Sequence, residues 1–323
     1  MAEPHDHTHA TDPSPSAAAL HELVDGVYAW VQPDGSWWIN NTGAITGDQG
    51  TIIIDTCATE ERTTRLLAAV REATDDAPIR LAANTHQHGD HTYGNCLLPD
   101  STVLVGHEAM RAGLVEDFII DGCPAFWAPV PDWGNVTKRV PDVTVASALT
   151  AYSGSRQVEL MHPGWVAHTT GDLVAWLPEE RVLYTGDLIF HGLTPLVFMG
   201  SVDGALRVLD WLAAFGAAHL VPGHGPLATE SQLADVFGAH ERYYRFILQL
   251  AKDGIADGLD PLAVATAADL GEFADWNDAE RLVLNLHRAY ADARGEEMNM
   301  LQAFADAMEW NGGPLTTHVC CLG

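Results

Sequence analysis

The feature that most limits how this chain can fold is a six-residue run with four potential metal ligands, His86, His88, Asp90 and His91. A short apolar stretch, residues 79–83, precedes it and has the pattern of a buried strand, so the ligands should follow that strand on a loop. His86 and His88 would point to the same side of an extended segment, whereas Asp90 and His91 follow a glycine and can turn towards a second ion. Imidazole and carboxylate ligands suit zinc, and a catalytic site leaves one position open for water. A lone histidine is more often a hydrogen-bonded core or surface residue, so the prediction depends on the cluster as a unit.

The charge of the chain excludes two classes of partner. Its 323 residues include 16 Lys and Arg against 44 Asp and Glu, which gives a net charge of −28. An acidic surface repels phosphate backbones and anionic lipids, so neither nucleic acid nor a membrane is expected to bind. No apolar run reaches the 18 residues that a membrane-spanning helix needs.

Cysteine usage and the N-terminal composition indicate the compartment. The five cysteines are odd in number and scattered, with no paired spacing, so we expect reduced thiols. Residues 1–18 contain no apolar segment typical of a signal peptide. We therefore predict a disordered tail over residues 1–20 and a cytoplasmic protein.

Strands and helices alternate through the first half of the chain. Period-2 or continuous apolar patterns predict strands at 26–31, 40–47 and 50–56, and helical spacing follows at 59–72. This alternation predicts an α/β layered fold. Residues 115–136 then place aromatic side chains among prolines and glycines, which is consistent with either a lid over the site or a loop packed on the core.

Three further ligand-type residues, His168, Asp187 and His224, occur where predicted strands end in small or turn-forming residues. Each is weak evidence by itself, but their shared placement connects them with the first cluster. This part of the chain, with the strands before it, defines a predicted domain over residues 21–228.

Beyond that domain the pattern becomes helical. Helical spacing appears at 232–251, 261–268 and 278–294, with Asp278 as the expected N-cap of the last. We predict a helical extension over 229–310, which either packs on the domain or forms a homodimer contact. The Gly-rich residues 311–323 are predicted to be a mobile tail.

With these residues collected, the chain resembles the metallo-β-lactamase superfamily over about residues 22–228. The resemblance implies a four-layer αβ/βα sandwich with two Zn²⁺ at the edge of its sheets, iron or manganese being alternatives. It implies one zinc on His86, His88 and His168, a second on Asp90, His91 and His224, and Asp187 as a bridge between the ions.

The resemblance also implies roles around the metals. The hydroxide or Asp90 would move a proton, and Asp90 would also bind metal. Independently of the resemblance, Asp55, at a strand end, is either a partner for a ligand histidine or an ordinary terminal carboxylate. The family's layout places five apolar side chains near the substrate, Trp37, Trp38, Trp127, Phe190 and Met199.

A narrower similarity, over residues 36–43, 167–170 and 194–202, is to a bacterial branch that contains aromatic polyketide cyclases with thioesterase-like ability. It implies a poly-β-ketone or acyl substrate, free or tethered to a carrier protein, and a place in antibiotic biosynthesis. The alternatives are a general hydrolase of thioesters, lactones or β-lactams, a mononuclear iron dioxygenase, and a binding protein without catalysis.

Overall fold

Two β-sheets form the centre of the molecule in the computed structural model, which describes residues 18–32 and 34–319. The first sheet has seven strands in the order β1-β2-β3-β4-β5-β6-β8. In chain order these are β1 Ala19–Val24, β2 Val27–Val31, β3 Thr42–Gly47, β4 Gly50–Ile54, β5 Ile79–Ala83, β6 Val103–His107 and β8 Val143–Val145. Strands β4, β5, β6 and β8 run parallel, so β4, β5 and β6 deliver their C-terminal ends to one edge.

The second sheet has six strands in the order β14-β13-β12-β11-β10-β9. These are β9 Ala148–Ser153, β10 Arg156–Met161, β11 Val174–Leu177, β12 Val182–Phe190, β13 His219–His224 and β14 Ala228–Thr229. The central strands β12 and β13 are parallel, and all nine residues of β12 are buried. A separate parallel pair joins β7 Trp127–Ala128 to β15 Leu315–Thr316.

Eight α-helices accompany the sheets within the described residues. They are α1 Glu60–Ala73, α2 Gly89–Thr92, α3 Glu108–Glu116, α4 Val202–Ala213, α5 Leu233–Ala256, α6 Pro261–Ala267, α7 Arg281–Arg294 and α8 Met300–Asn311. Thr59 caps α1 by accepting a hydrogen bond from the backbone of Arg62, as expected for a threonine before a helix. None of the helices in the described ranges combines the length and apolar composition that crossing a bilayer requires.

Three apolar clusters produce four layers. Alternation along β4 sends Ile52 and Ile54 between the two sheets, while Ile53 faces α1 on the outer side of the first sheet. The outer face of the second sheet shares the largest cluster with α4, α5 and α7, and α8 joins this cluster by packing on α6 and α7. The predicted αβ/βα sandwich with an added helical region is therefore confirmed.

Both ends of the described chain differ from the sequence prediction. Ala19 and Leu20, assigned to a disordered tail, begin β1, which pairs antiparallel with β2. Residues 1–17 lie outside the described residues. The predicted mobile tail is wrong up to residue 319, because β15 pairs with β7 and Leu315 and Val319 are buried. The physical cause is tertiary: strand pairing and apolar contacts order a segment whose glycines suggest mobility.

One helix prediction needs correction, and one helix was missed. Asp278 does not cap α7, since it has a positive φ of 58° and lies before a turn, and the helix begins at Arg281. Its carboxylate is instead 2.7 Å from the Arg281 guanidinium. Helix α4 was not predicted.

Residues 115–136 pack on the core, with Trp127 and Trp133 buried, although Phe118 is 71% exposed.

Candidate metal centre

The loop after β5 is held by polar contacts with its neighbours. The carboxylate of Asp55 accepts hydrogen bonds from the backbone N–H and the hydroxyl of Thr85, both at 2.7 Å. Asn84 donates to the backbone oxygen of His91 at 2.8 Å and so closes the loop onto α2. These bonds orient the two histidines at the start of the cluster relative to the two ligands on α2.

Four side chains form a first group. His88 Nδ1 lies 3.1 Å from His86 Nε2 and 3.0 Å from His168 Nε2. Asp187 Oδ2 is 3.6 Å from His86 Nε2 and 3.4 Å from His168 Nε2. All four potential ligand atoms lie within 4.8 Å of one another, as a single ion would require.

A second group lies directly beside the first. His224 Nε2 is 3.2 Å from Asp90 Oδ2, and His91 Nε2 is 3.8 Å from the same oxygen. Asp187 reaches this group too, with Oδ1 3.0 Å from His91 Nε2 and Oδ2 3.4 Å from His224 Nε2. The Asp187 carboxylate therefore stands between the groups, in the position that a bridging ligand would occupy.

The glycine that precedes His224 leaves room for this carboxylate. A Cβ built on Gly223 would lie 1.9 Å from Asp187 Oδ1, far inside van der Waals contact. Only glycine allows β12 and β13 to bring Asp187 and His224 together at this point.

In each of the five histidines, one ring nitrogen faces the other ligands and is called the inner nitrogen, and the second faces away and is called the outer nitrogen. Each outer nitrogen has its own partner. His91 Nδ1 bonds to Asp55 Oδ2 at 2.8 Å, and His86 Nδ1 lies 3.0 Å from the Thr85 hydroxyl. His168 and His224 donate from Nδ1 to the backbone oxygens of Leu196 and Gly35, at 2.7 and 2.8 Å, and His88 Nε2 contacts Met199 Sδ at 3.2 Å. A neutral imidazole that donates from its outer nitrogen presents a lone pair on the inner one.

The residues present fit metal ions. His91 Nε2 and Asp187 Oδ1 are buried and make no hydrogen bond although they are 3.0 Å apart. The inner nitrogens of His86, His88 and His168 also converge at about hydrogen-bond distance with no proton between them in the tautomers that their outer partners favour. Converging lone pairs repel one another unless a cation lies between them. Zinc accepts this donor set.

Burial and charge divide the histidines into two kinds. Burial lowers the pKa of His86 well below its ordinary value and that of His168 to about 3, so both rings stay neutral. Burial also acts on His224, but the Asp187 and Asp90 carboxylates outweigh it and raise its pKa to about 9. The pKa of Asp90 falls to about 2, because the neighbouring His91 and His224 outweigh its desolvation. The second group thus attracts positive charge even without metal.

The structure brings all seven predicted ligands together, and it shows the contact between Asp55 and His91. Phe190 stacks on His224 with ring centroids 5.0 Å apart, and Met199 contacts His88. Trp37, Trp38 and Trp127 are buried in an aromatic cluster with Trp133 and Phe304. Their predicted contact with substrate stays a prediction.

Two elements of the site were not predicted. Phe198 stacks on His88 at 5.2 Å, and the Leu196 and Gly35 carbonyls bind the outer nitrogens of His168 and His224. Every residue carries a carbonyl, so a carbonyl partner leaves no signal in a sequence. The Phe198 contact could have been suspected from its place beside Met199.

Fold and site together define a class: an αβ/βα sandwich with two adjacent groups of potential metal ligands where strands of both sheets end. The sequence profile of the metallo-beta-lactamase superfamily matches residues 35–224, more than half of the chain. The chain belongs to the metallo-beta-lactamase superfamily.

Two relatives are similar to part of this chain and over part of their own length. The α subunit of 2,4-dinitroanisole O-demethylase from Nocardioides sp. is 28% identical over 60% of this chain and 54% of its own length. Hydroxyacylglutathione hydrolase from Methylococcus capsulatus is 29% identical over 46% of this chain and 49% of its own length. The chain spans about half the length of these curated relatives.

Solved structures share the fold at low sequence identity. A metallo-beta-lactamase from Pontibacter korlensis has a TM-score of 0.56 at 21% identity and covers 69% of this chain and 99% of its own. The stereoselective inverting sec-alkylsulfatase from Pseudomonas sp. has a TM-score of 0.68 at 18% identity and covers 88% of this chain and 51% of its own. The wider coverage shows that most of this chain, beyond the portion a lactamase matches, has a counterpart in the alkylsulfatase fold.

Proposed function

We propose that this chain is a dinuclear zinc hydrolase of acyl substrates, with a thioester or ester as the bond that is cleaved. The observation that carries the proposal is the convergence of seven buried or half-buried ligand side chains. Five of them are histidines, and the partners of their outer nitrogens favour the tautomers that bind metal. His86, His88 and His168 would bind one ion, Asp90, His91 and His224 the other, and Asp187 both. Two ions held in this way activate water and polarise the bond to be broken.

The residues of the chain supply orientation and charge. The carboxylate of Asp90, with a pKa of about 2, stays ionised at neutral pH and can accept a hydrogen bond from an attacking water. Phe198 and Met199 border the exposed side of His88 with apolar surface, which suits an acyl chain or a ring. Of the two lysines, Lys138 donates to backbone oxygens of Val115 and Asp117, and Lys252 is exposed on α5, so neither is a partner for a developing oxyanion.

One relative is named a hydrolase of hydroxyacylglutathione, an acyl thioester, and this name supports acyl hydrolysis. The other is named a subunit of a 2,4-dinitroanisole O-demethylase, so an aryl methyl ether is included among the substrates to be tested. Ring closure of a poly-β-ketone, which the sequence also predicts, is the finer alternative. None of the similar proteins named above is a cyclase, so we place cyclisation second.

The partners and compartment follow as part of this proposal. We infer a small-molecule or carrier-tethered substrate, no nucleic acid, and a cytoplasmic protein, with a homodimer as the quaternary alternative. The cysteines Cys57 and Cys96 are free thiols in the described part of the chain, which suits a reducing compartment.

A metal and substrate assay tests the proposal. Purified protein is stripped with chelator, reloaded with zinc, and assayed with acyl thioesters, aryl esters, 2,4-dinitroanisole, a β-lactam and a synthetic poly-β-ketone. We expect zinc-dependent release of thiol or alcohol from the acyl substrates. Mass spectrometry of a cyclised product with no acyl hydrolysis would favour the cyclase, and one iron with oxygen uptake would overturn the zinc assignment.

Variants separate ligand loss from general damage. His86→Ala and His168→Ala should each remove about one zinc per chain and most activity, because each takes one of three histidines from the same ion. His219→Ala, at the other end of β13, is the matched control and should retain both ions. Full occupancy in either ligand variant would contradict the assignment.

A further inference from the structure

The loop between β12 and α4 supports two of the three histidines in the first group. We call residues 194–199 the acceptor loop. Its Leu196 carbonyl accepts the Nδ1 hydrogen bond of His168 at 2.7 Å. Its Phe198 ring stacks on His88, and its Met199 sulfur contacts His88 Nε2. The orientation of these imidazoles therefore depends on where the acceptor loop lies.

The acceptor loop is held from the helical region. Asn285, on α7, accepts from the backbone N–H of Val197 at 2.7 Å and donates to the backbone oxygen of Pro195 at 2.8 Å. One turn earlier on the same helix, Arg281 donates to the backbone oxygen of Thr194 at 2.9 Å. Both side chains are only 1% exposed. Three hydrogen bonds from one helix thus bracket the carbonyl on which His168 depends.

The amide of Asn285 is fully used and its orientation is fixed. One Nδ2 hydrogen is donated to the backbone oxygen of Pro195 and the other to the hydroxyl oxygen of Tyr243 at 3.0 Å. Oδ1 accepts the hydrogen bond of the Val197 backbone N–H. In a flipped amide, the Nδ2 group would face the Val197 N–H, and two donors would then oppose each other. Because these groups are buried, removing the amide would leave the Val197 N–H and the Pro195 carbonyl unpaired. The loop would then shift to find partners.

We infer that Asn285 is a positioning residue for the metal centre, acting through the acceptor loop on His168. The inference rests on the proposed metal centre. Asn285 lies outside the stretch that matches the superfamily profile, residues 35–224, so the helical region would help to form the site as well as cover it. Loss of a group that is hydrogen-bonded directly to a metal-binding histidine typically lowers metal affinity 10- to 100-fold. Asn285 acts one step further out, through the Leu196 carbonyl, so its effect should lie at the lower end of this range.

The test compares two α7 variants: Asn285→Ala loses buried hydrogen bonds, and the control loses one that is partly buried. Asn285→Ala removes the contacts to the acceptor loop. Tyr290→Phe removes the bond from the Tyr290 hydroxyl to the Leu259 backbone oxygen, which lies far along the chain from that loop. Chelator-stripped proteins are titrated with Co²⁺, whose absorption reports ligand geometry, and thermal unfolding is recorded for each.

We expect Asn285→Ala to weaken binding of the ion at the first group, which includes His168, by about 10-fold, and Tyr290→Phe to change it less than about twofold. Equal loss in both variants, or unchanged affinity in Asn285→Ala, would overturn the inference. If Asn285→Ala does not fold, Asn285→Asp is measured in the same titration in its place. It keeps an acceptor for Val197 but loses the donor to Pro195, so we expect a smaller loss in the same direction, and unchanged affinity would contradict the role.

A metal-free readout separates this inference from the proposed function. In the stripped protein, the Nδ1 proton of His168 should give a slowly exchanging NMR signal because it is bonded to Leu196. Asn285→Ala should broaden or shift that signal, and Tyr290→Phe should leave it unchanged. If the wild type bound no metal, the proposed function would fail, while this signal would still show whether Asn285 orients His168.

Discussion

The protons on the outer ring nitrogens decide which atoms face the metal centre. A carboxylate or a backbone carbonyl binds Nδ1 of His91, His168 and His224, which leaves Nε2 of each to face inward. His88 is reversed, because its Nε2 lies against Met199 and its Nδ1 faces inward. The ligand atoms are therefore set by second partners before any ion arrives, and this reduces the cost of ordering the site.

Asp187→Asn should remove one ion and most turnover. The amide keeps the shape of the carboxylate but loses the charge that would offset two cations about 3.5 to 4 Å apart. We expect the metal content to fall from two towards one, with unchanged far-UV circular dichroism. Elemental analysis together with turnover measures the effect, and two retained ions with near-normal turnover would mean that Asp187 is not the bridge.

The metal-free protein should lose stability as the pH rises from about 6.5 to 9. His224 has a folded-state pKa of about 9 against an ordinary 6.5. The folded chain therefore binds this proton more tightly than the unfolded chain. The resulting stabilisation is complete below about pH 6.5 and is lost as the pH rises through 9. The raised pKa of His91 acts in the same direction. Urea unfolding in the presence of chelator measures the trend.

Zinc affinity should change with pH in the opposite direction to the stability of the metal-free protein. An ion at the second group must displace the His224 proton, so zinc affinity should increase with pH up to about 9. His224→Gln is the control, and it should reduce the pH dependence of the metal-free protein to the part that His91 contributes. Stability that is constant or increasing over this range in the wild type would contradict the charge assignment.

Among the elements, α4 packs unusually close to the segment that carries His168. A Cβ built on Gly204, in the first turn of α4, would lie 1.8 Å from the backbone oxygen of Val166. Ser201 caps the same helix with a hydrogen bond to the N–H of Gly204. Gly204 therefore sets the distance between α4 and residues 166–168.

Gly204→Ala should destabilise the protein although alanine normally favours a helix over glycine by about 1 kcal/mol. The overlap with Val166 involves backbone, which cannot move without displacing His168. Gly238→Ala in α5 is the matched control, because its Cβ would meet only the end of the Arg242 side chain at 3.3 Å. We expect opposite signs in urea unfolding, and stabilisation by both substitutions would contradict the close packing.

An element could be predicted from the sequence when the interactions that stabilise it leave a local pattern of residue types. The ligand run after β5 was predictable because metal-binding chemistry requires those residue types close together. Helix α4 was not, because a glycine in its first turn and a serine cap without a partner three residues on give a weak start signal. The buried tryptophans Trp37 and Trp127 were not distinguishable from a substrate-facing wall, since both environments favour aromatic residues.

Across the whole molecule, the helical region shares one core with the sandwich. The largest apolar cluster joins Leu183 and Leu220 of the second sheet to Tyr243, Leu284 and Phe304 of the C-terminal helices. The sequence boundary near residue 228 therefore marks a change in secondary structure and leaves the core continuous. A separate domain would have its own core.

A chain that ends at residue 228 should fail to fold cooperatively. Without α5 and α7, the outer face of the second sheet and buried residues such as Val197 would be exposed to water. We expect strong binding of a hydrophobic dye and no sharp thermal transition. Co-expression of residues 229–323 as a separate chain is the control, and it should abolish the dye binding and restore a sharp thermal transition. A truncated chain with a sharp transition would show that the sandwich is independent.

The pairing of β15 with β7 provides an internal reporter of opening near the site. The Leu315 N–H donates to the Phe126 carbonyl at 2.7 Å, and the Thr317 hydroxyl donates to the Trp37 carbonyl at 2.9 Å. If substrate enters by lifting residues 115–136, the Leu315 bond must break each time. Its amide hydrogen should then exchange with deuterium faster than the amides of β12, and a bound substrate analogue should slow it. Exchange as slow as in β12 would indicate that substrate reaches the metals without moving this segment.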